Sequence, residues 1–233
     1  MTKIVAIHQP NFFPWLGYFA KIATSDIFVF YDDVQFPKTG GTWSNRVKLL
    51  INSDPRWLTA AIDRAYQGTR TIHEMRYLES NPWREKALRT IELNYKKHPF
   101  YHESMDVVAP LLLNAENNIA EYNIHAVRTI VQHLGGRTDK LLRSSTIPHG
   151  GHSNQRLCSL TQALGADTYM CGGGADGYQD ANVFKTAGIS LRYQAFIHPH
   201  YIQYDNAEFV PGLSIIDALM NVGAKDTARL VGM

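Results

Sequence analysis

Residues 3–7 form a short apolar run, partly β-branched, that breaks at His8-Gln9-Pro10-Asn11. A continuous apolar run of this length reads as a buried strand. Pro10 ends it, because proline cannot extend a central strand. From Pro14 the spacing changes. Leu16, Phe19, Ala20 and Ala23 recur at steps of three and four, which predicts a helix with Pro14 in its first turn. A second apolar run, 27–31, ends in Asp32-Asp33. Residues 3–31 therefore read as strand, loop, helix, strand: a βαβ unit with parallel strands and a right-handed crossover.

Further on, runs at 47–51 and 57–62 flank Asn52-Ser53-Asp54-Pro55, and a hairpin with its turn at 52–55 is expected. The middle of the chain reads as helical. Asn81-Pro82 marks a start, with Asn as N-cap and Pro at N1, and the helix stops before Pro99. Helices at 101–114 and 119–134 follow, the latter stopped by Gly135-Gly136. A short strand near 140–143 precedes a helix capped by Ser153, running through Leu157, Leu160 and Leu164 and closed by Gly165. Residues 167–171 read as a strand ending in Gly172-Gly173-Gly174, then come a helix near 177–185 and a strand at 189–193. Ser214-x-x-Asp217 resembles a capping box that opens a last helix. Strands alternating with helices predict an α/β fold with a mainly parallel sheet. With no linker visible, residues 1–233 read as one domain containing a mostly helical segment at about 81–135.

Composition narrows the function classes. The chain has 233 residues, 45% hydrophobic and 19% charged, with a net charge of +2. This balance is globular rather than disordered and does not favour a nucleic-acid partner. Two cysteines, Cys158 and Cys171, cannot form a disulfide framework or a four-cysteine zinc site. No apolar run approaches a membrane span and the start lacks a signal-peptide pattern. A cytoplasmic protein is expected.

In open α/β sheets ligands bind beyond the carboxyl ends of strands where the strand order reverses. Two strand ends here carry unusual residues: His8-Gln9-Pro10-Asn11 and Cys171-Gly172-Gly173-Gly174. If those strands are neighbours, an imidazole faces a glycine loop across a crevice. His8 is a candidate acid/base or a histidine bonded within the fold. The three glycines offer amides to an anion or simply make a tight turn. Asp32 and Asp33 are paired carboxylates that could hold metal, shift a pKa or cap a loop. Trp43-Ser44-Asn45-Arg46 carries an amide and a guanidinium, for phosphate or for stacking on tryptophan. His198-Pro199-His200-Tyr201-Ile202-Gln203 is the densest polar-aromatic cluster; no third ligand accompanies its histidine pair, and no metal site is expected. A polar ligand such as a sugar suits His198, Tyr201 and Gln203.

These segments together, with residues 7–17, Asp32 to Phe36, Tyr169 to Gly174, and Phe209-x-Pro-x-Leu-Ser-x-x-Asp217, resemble the WbqC-like protein family over nearly the whole chain. Members are associated with bacterial O-antigen and other surface-glycan gene sets. The resemblance implies lipopolysaccharide-type chemistry on nucleotide-linked amino sugars, with an acyl or aminoacyl group added to the sugar amine. The fold is also similar to the HIGH-motif nucleotidylyltransferase (HUP) superfamily, Rossmann-like enzymes that activate carboxylates with ATP. Where that superfamily has His-x-Gly-His, this chain has Phe12-Phe13-Pro14-Trp15, so both triphosphate-steadying histidines are missing.

The expectation drawn from this resemblance is an acyl- or aminoacyl-transferase acting on a nucleotide sugar. Its catalytic residues are taken as His8, Asp33 and His198. Its substrate-binding residues are taken as Gln9, Asn11, Trp15, Asn45, Arg46, Gly172, Gly173, Gly174, Tyr178, Tyr201 and Gln203. The implied co-reactant is an activated acyl donor, an acyl carrier protein among the candidates, or ATP. The alternatives are an ATP-dependent carboxylate ligase and a non-catalytic nucleotide-sugar-binding protein.

Overall fold

The computed structural model describes residues 2–39, 41–172, 179–206 and 208–233. The βαβ opening is present as β1 (Ile4–His8), α1 (Leu16–Thr24) and β2 (Ile27–Phe30). A hairpin of β3 (Arg46–Ile51) and β4 (Asp54–Thr59) comes next. Three helices fill the middle: α2 (Trp83–Tyr95), α3 (Tyr101–Leu112) and α4 (Ile119–His133). The chain then runs through β5 (Leu141–Arg143), α5 (Ser153–Ala163), β6 (Thr168–Cys171), α6 (Ala181–Thr186), β7 (Ser190–Tyr193) and α7 (Ile215–Val231). Among the described residues, no helix is long and apolar enough to cross a membrane.

Five strands form one sheet in the order β5-β2-β1-β6-β7, and every neighbouring pair is parallel. The chain starts at the centre, steps outward through β2 and β5, then returns to the other side of β1 with β6. The order therefore reverses between β1 and β6, the two strands that end in His8 and in Cys171 before Gly172. Ile4, Val5 and Ala6 pair with Thr168, Tyr169 and Met170. Continuing that register sets His8 level with Gly172.

Both faces of the central strands β1, β2 and β6 are covered, which is why these strands read as unbroken apolar runs, whereas the edge strand β7 is largely exposed. Val5, Ile7 and Val29 pack with Leu157, Leu160 and Phe184 from α5 and α6. The alternate positions Ala6, Phe28 and Phe30 join a larger core with Phe19 and Ile22 of α1, and with residues of α4 and α7. Phe28 and Phe30 are fully buried, each contributing about 2–3 kcal/mol through burial. His8 falls in the same alternation as Ala6, so its ring emerges on the α1 side of the sheet.

Four local expectations are corrected. The hairpin turn is Asn52-Ser53 alone, with φ of 52° and 62°, the two positive angles of a type I′ turn. Asp54 and Pro55 therefore belong to β4, where Pro55 pairs with Leu50. Pro82, not Asn81, occupies the N-cap position of α2 and no side chain caps it. His152, not Ser153, stands at the N-cap of α5. Ser214 does cap α7, accepting from Ile216 N, but there is no capping box. The Ser214 N–H already donates to Lys48 O at 2.9 Å, so the Asp217 carboxylate turns inward.

Candidate functional site

A crevice of about 650 Å³ opens at the carboxyl ends of β1 and β6, at the point of strand reversal. Its size suits a small-molecule site. His8 and Gly172 both line it, as the register requires, with Lys21, Trp15 and Tyr18 from the α1 side and Trp43, Gln194, Phe196 and His198 closing the mouth.

His8 is set by its neighbours. Its Nδ1 lies 3.3 Å from Gln9 O, which favours the tautomer with hydrogen on Nδ1 and leaves Nε2 as an acceptor. Tyr18 and Trp15 meet the ring edge-on, at 4.9 and 5.9 Å between centroids. Burial, with the positive charge of Lys21 next in weight, pushes the His8 pKa down to about 3. The imidazole is thus neutral at physiological pH.

Lys21 was not anticipated. It projects from α1 and is only 2% exposed. Burial pushes its pKa down to about 8. A side chain starting at Gly172 would come within 3.2 Å of its Nζ, so the ammonium lies over the backbone at the end of β6. The only trace in the sequence is a lone charge within the otherwise uncharged Leu16–Thr24, which periodicity assigns to a solvated face.

Gly17 is constrained by the crevice wall. A methyl group there would meet Phe196 Cδ1 at 2.8 Å and Trp15 Nε1 at 2.9 Å. Gln194 Nε2 donates to Gly17 O at 2.8 Å, tying the segment after β7 to α1. Trp15 stands 4.9 Å from Trp43, and Trp43 stands 5.1 Å from Trp57. This aromatic row leads out of the mouth, where Trp43 and Trp57 are 39% and 38% exposed. His198 packs edge-on against Phe196, and burial lowers its pKa. The described lining carries one lysine and two histidines and no carboxylate.

The other anticipated residues fall elsewhere. Asp33 sits in an ion-pair cluster beyond β2, bound by Arg156 at 2.6 Å, Ser144 Oγ at 2.5 Å and His149 at 3.2 Å. Its neighbour Asp32 is fully buried and pairs with Arg143 at 2.9 Å. Arg46 lies 4.2 Å over the ring of Trp57 and does not line the crevice. Both polar ends of Asn45 serve backbone groups, accepting from Thr42 N and donating to Ala60 O. Asn11 is buried with neither amide atom partnered, while Gln9 contributes its carbonyl to Tyr18 and His8. Tyr201 and Gln203 both donate to Asp217 Oδ2, at 2.6 and 3.2 Å, and Tyr95 donates to Oδ1 at 2.8 Å. Gly173, Gly174 and Tyr178 lie outside the described residues. Among the described residues, no group of three or more His, Cys, Asp or Glu is placed to hold a metal ion.

The model of the WbqC-like protein family matches residues 9–229. The chain belongs to this family. A WbqC-like relative, the uncharacterized protein Rv1507c of Mycobacterium tuberculosis, is 32% identical over 226 residues, covering 96% of this chain and 95% of its own length. No solved structure matches. Of the sequence features that suggested the WbqC-like family, Ile7, His8, Trp15, Gly17, Trp43, Tyr169, Cys171, Gly172 and His198 line the crevice. Asp32, Arg46, Gln203 and Asp217 do not.

Proposed function

We propose that this WbqC-like protein is an acyl- or aminoacyl-transferase acting on a nucleotide-activated amino sugar, as part of bacterial surface-glycan synthesis. The observation that carries the reading is the pairing of a neutral imidazole with a buried ammonium in one aromatic-walled crevice at the sheet's switch point. In this reading the crevice holds the nucleotide sugar, and Trp15 and Trp43 stack its flat rings. The sugar amine approaches His8 Nε2. As its nitrogen attacks the acyl carbonyl, the N–C bond forms and the bond to the leaving group breaks. The proton passes from the amine to Nε2 and then to the leaving group. The amide of Gly172, at the end of β6, stabilises the developing oxyanion, and His198 orients a hydroxyl.

A histidine with a pKa near 3 is a weak base. Part of that depression comes from Lys21, and an anionic substrate beside Lys21 offsets it. The bound substrate thereby makes His8 a better proton acceptor.

The test incubates the protein with UDP-linked amino sugars. Candidate donors are acyl-coenzyme A, an acyl-carrier-protein thioester, or ATP with a carboxylate. Mass spectrometry follows the mass gain on the sugar. A product that disappears in His8→Ala, with unchanged melting temperature, supports the reading. Turnover retained in that variant removes the role of His8. Pyrophosphate release that needs both ATP and a carboxylate replaces transfer by ligation. A melting shift with nucleotide sugars and no product under any donor leaves a binding protein.

A further inference from the structure

We propose that Lys21 is the anion-binding residue of the crevice, its ammonium holding a phosphate oxyanion of the ligand above the backbone of Gly172. The inference rests on the nucleotide-sugar reading for the identity of the ligand, and on the geometry for the residue.

Lys21 is 2% exposed, and among the described residues its Nζ has neither a hydrogen-bond acceptor nor an ion-pair partner. Two other lysines near the sheet behave differently. Lys140 Nζ donates to Ser25 O at 2.6 Å, and Lys3 Nζ donates to Leu164 O at 2.7 Å. Both cap carbonyls at element ends. An ammonium buried without a partner costs several kcal/mol, and an apolar side chain would fill the same place on α1 without that cost. Among the described residues only the Cys171 sulfur acts on this charge electrostatically, so the ammonium is placed to take an anion that enters the crevice.

The surroundings select the partner's chemistry. The described groups facing the crevice add two histidines, the Cys171 thiol and no carboxylate, so among the described residues no carboxylate competes for the ammonium. Gly172 lets a bulky oxyanion reach both the backbone and Nζ, since a side chain there would stand 3.2 Å from the nitrogen. A lysine point charge beside a glycine backbone at a strand end matches phosphate. The crevice volume of about 650 Å³ leaves room beyond the anion for a nucleoside or sugar. The Arg46 guanidinium, whose chemistry also suits phosphate, is stacked on Trp57 outside the crevice.

The test titrates the whole chain with UDP, inorganic pyrophosphate and acetate by calorimetry, for the wild type and for Lys21→Met, and records both melting curves without ligand. The expected result is UDP and pyrophosphate binding by the wild type, weakened about 10–100-fold in Lys21→Met, as expected for loss of one charged hydrogen bond. Lys21→Met should also melt at or above the wild-type temperature. Unchanged affinity in the variant, or no binding of UDP and pyrophosphate by the wild type, overturns the proposal. So does acetate binding as tightly as pyrophosphate, which would assign the site to a carboxylate. A lower melting temperature in Lys21→Met overturns it too, by making the ammonium a structural group. The transferase reading fails separately: Lys21-dependent UDP binding without acyl transfer leaves the anion site standing, whereas acyl transfer unaffected by Lys21→Met leaves the transferase standing and removes the site.

Discussion

Tyr201 donates its hydroxyl hydrogen to Asp217 across 2.6 Å. Burial pushes the Asp217 carboxyl up, and bonds from Tyr201, Tyr95 and Gln203 oppose that shift. The bond therefore supports a carboxylate locked between α2, α7 and the segment after β7. Tyr201→Phe leaves that carboxylate one donor short, at a cost of about 1–3 kcal/mol. Urea denaturation should show this loss, while UDP affinity stays at the wild-type value. Reduced affinity at unchanged stability would instead place Tyr201 at the ligand.

The two depressed pKa values in the crevice set opposite ends of the pH–stability curve. The unfolded chain protonates His8 at its ordinary value of 6.5, but the folded chain waits until about 3. Between these values the unfolded state binds more protons, so stability is complete above pH 6.5 and falls on acidification. His8→Gln should flatten that fall. Lys21 sheds its proton at about 8 when folded, against 10.5 in the ordinary case. Stability should then rise between pH 8 and about 9.5, by up to about 2 kcal/mol. Above that range, ionising tyrosines oppose it, since burial raises Tyr18 and Tyr169. Denaturation curves at pH 7, 8, 9 and 9.5 should show the rise in the wild type and not in Lys21→Met.

Gly17→Ala forces a methyl group against Phe196 and Trp15. Both rings belong to the crevice wall, so the clash must displace that wall. Overpacking of this kind costs about 1–3 kcal/mol. Ligand affinity should fall along with the melting temperature, and the Trp15 fluorescence should shift. A variant that binds UDP as the wild type does would show that the wall yields freely.

Ser53→Gly should stabilise the protein. Ser53 holds φ at 62° in a two-residue turn, where a Cβ costs about 1 kcal/mol and glycine is preferred. The entropy glycine gains in the unfolded chain offsets part of this. A gain of about 0.5 kcal/mol in urea denaturation is expected. A loss would mean that the side chain supports the turn.

The reversal point could be found in the sequence because strand ends carrying His8 and a glycine triplet are conspicuous, and an apolar run implies a covered sheet. Residue roles were harder to read. Tyr201 and Gln203 looked like ligand groups because their partner, Asp217, looked like a helix cap. Nothing local reveals that the Ser214 amide is already used by Lys48. Arg46 was expected to stack on a tryptophan or meet phosphate. It stacks, but on Trp57, because Trp57 pairs with Lys48 across the hairpin and lies diagonal to Arg46. Lys21 carries no local signal, because one charge in a short helix normally faces water. Only the sheet order turns that side of α1 toward a cavity.

The sheet order also bears on how the protein could be divided. One wall of the crevice is made within the first two dozen residues and the other follows β6, with all three middle helices between them in the chain. Neither half alone can assemble a complete pocket. A backbone nick in the exposed connection at 150–152 should leave the crevice complete only while the two fragments stay together.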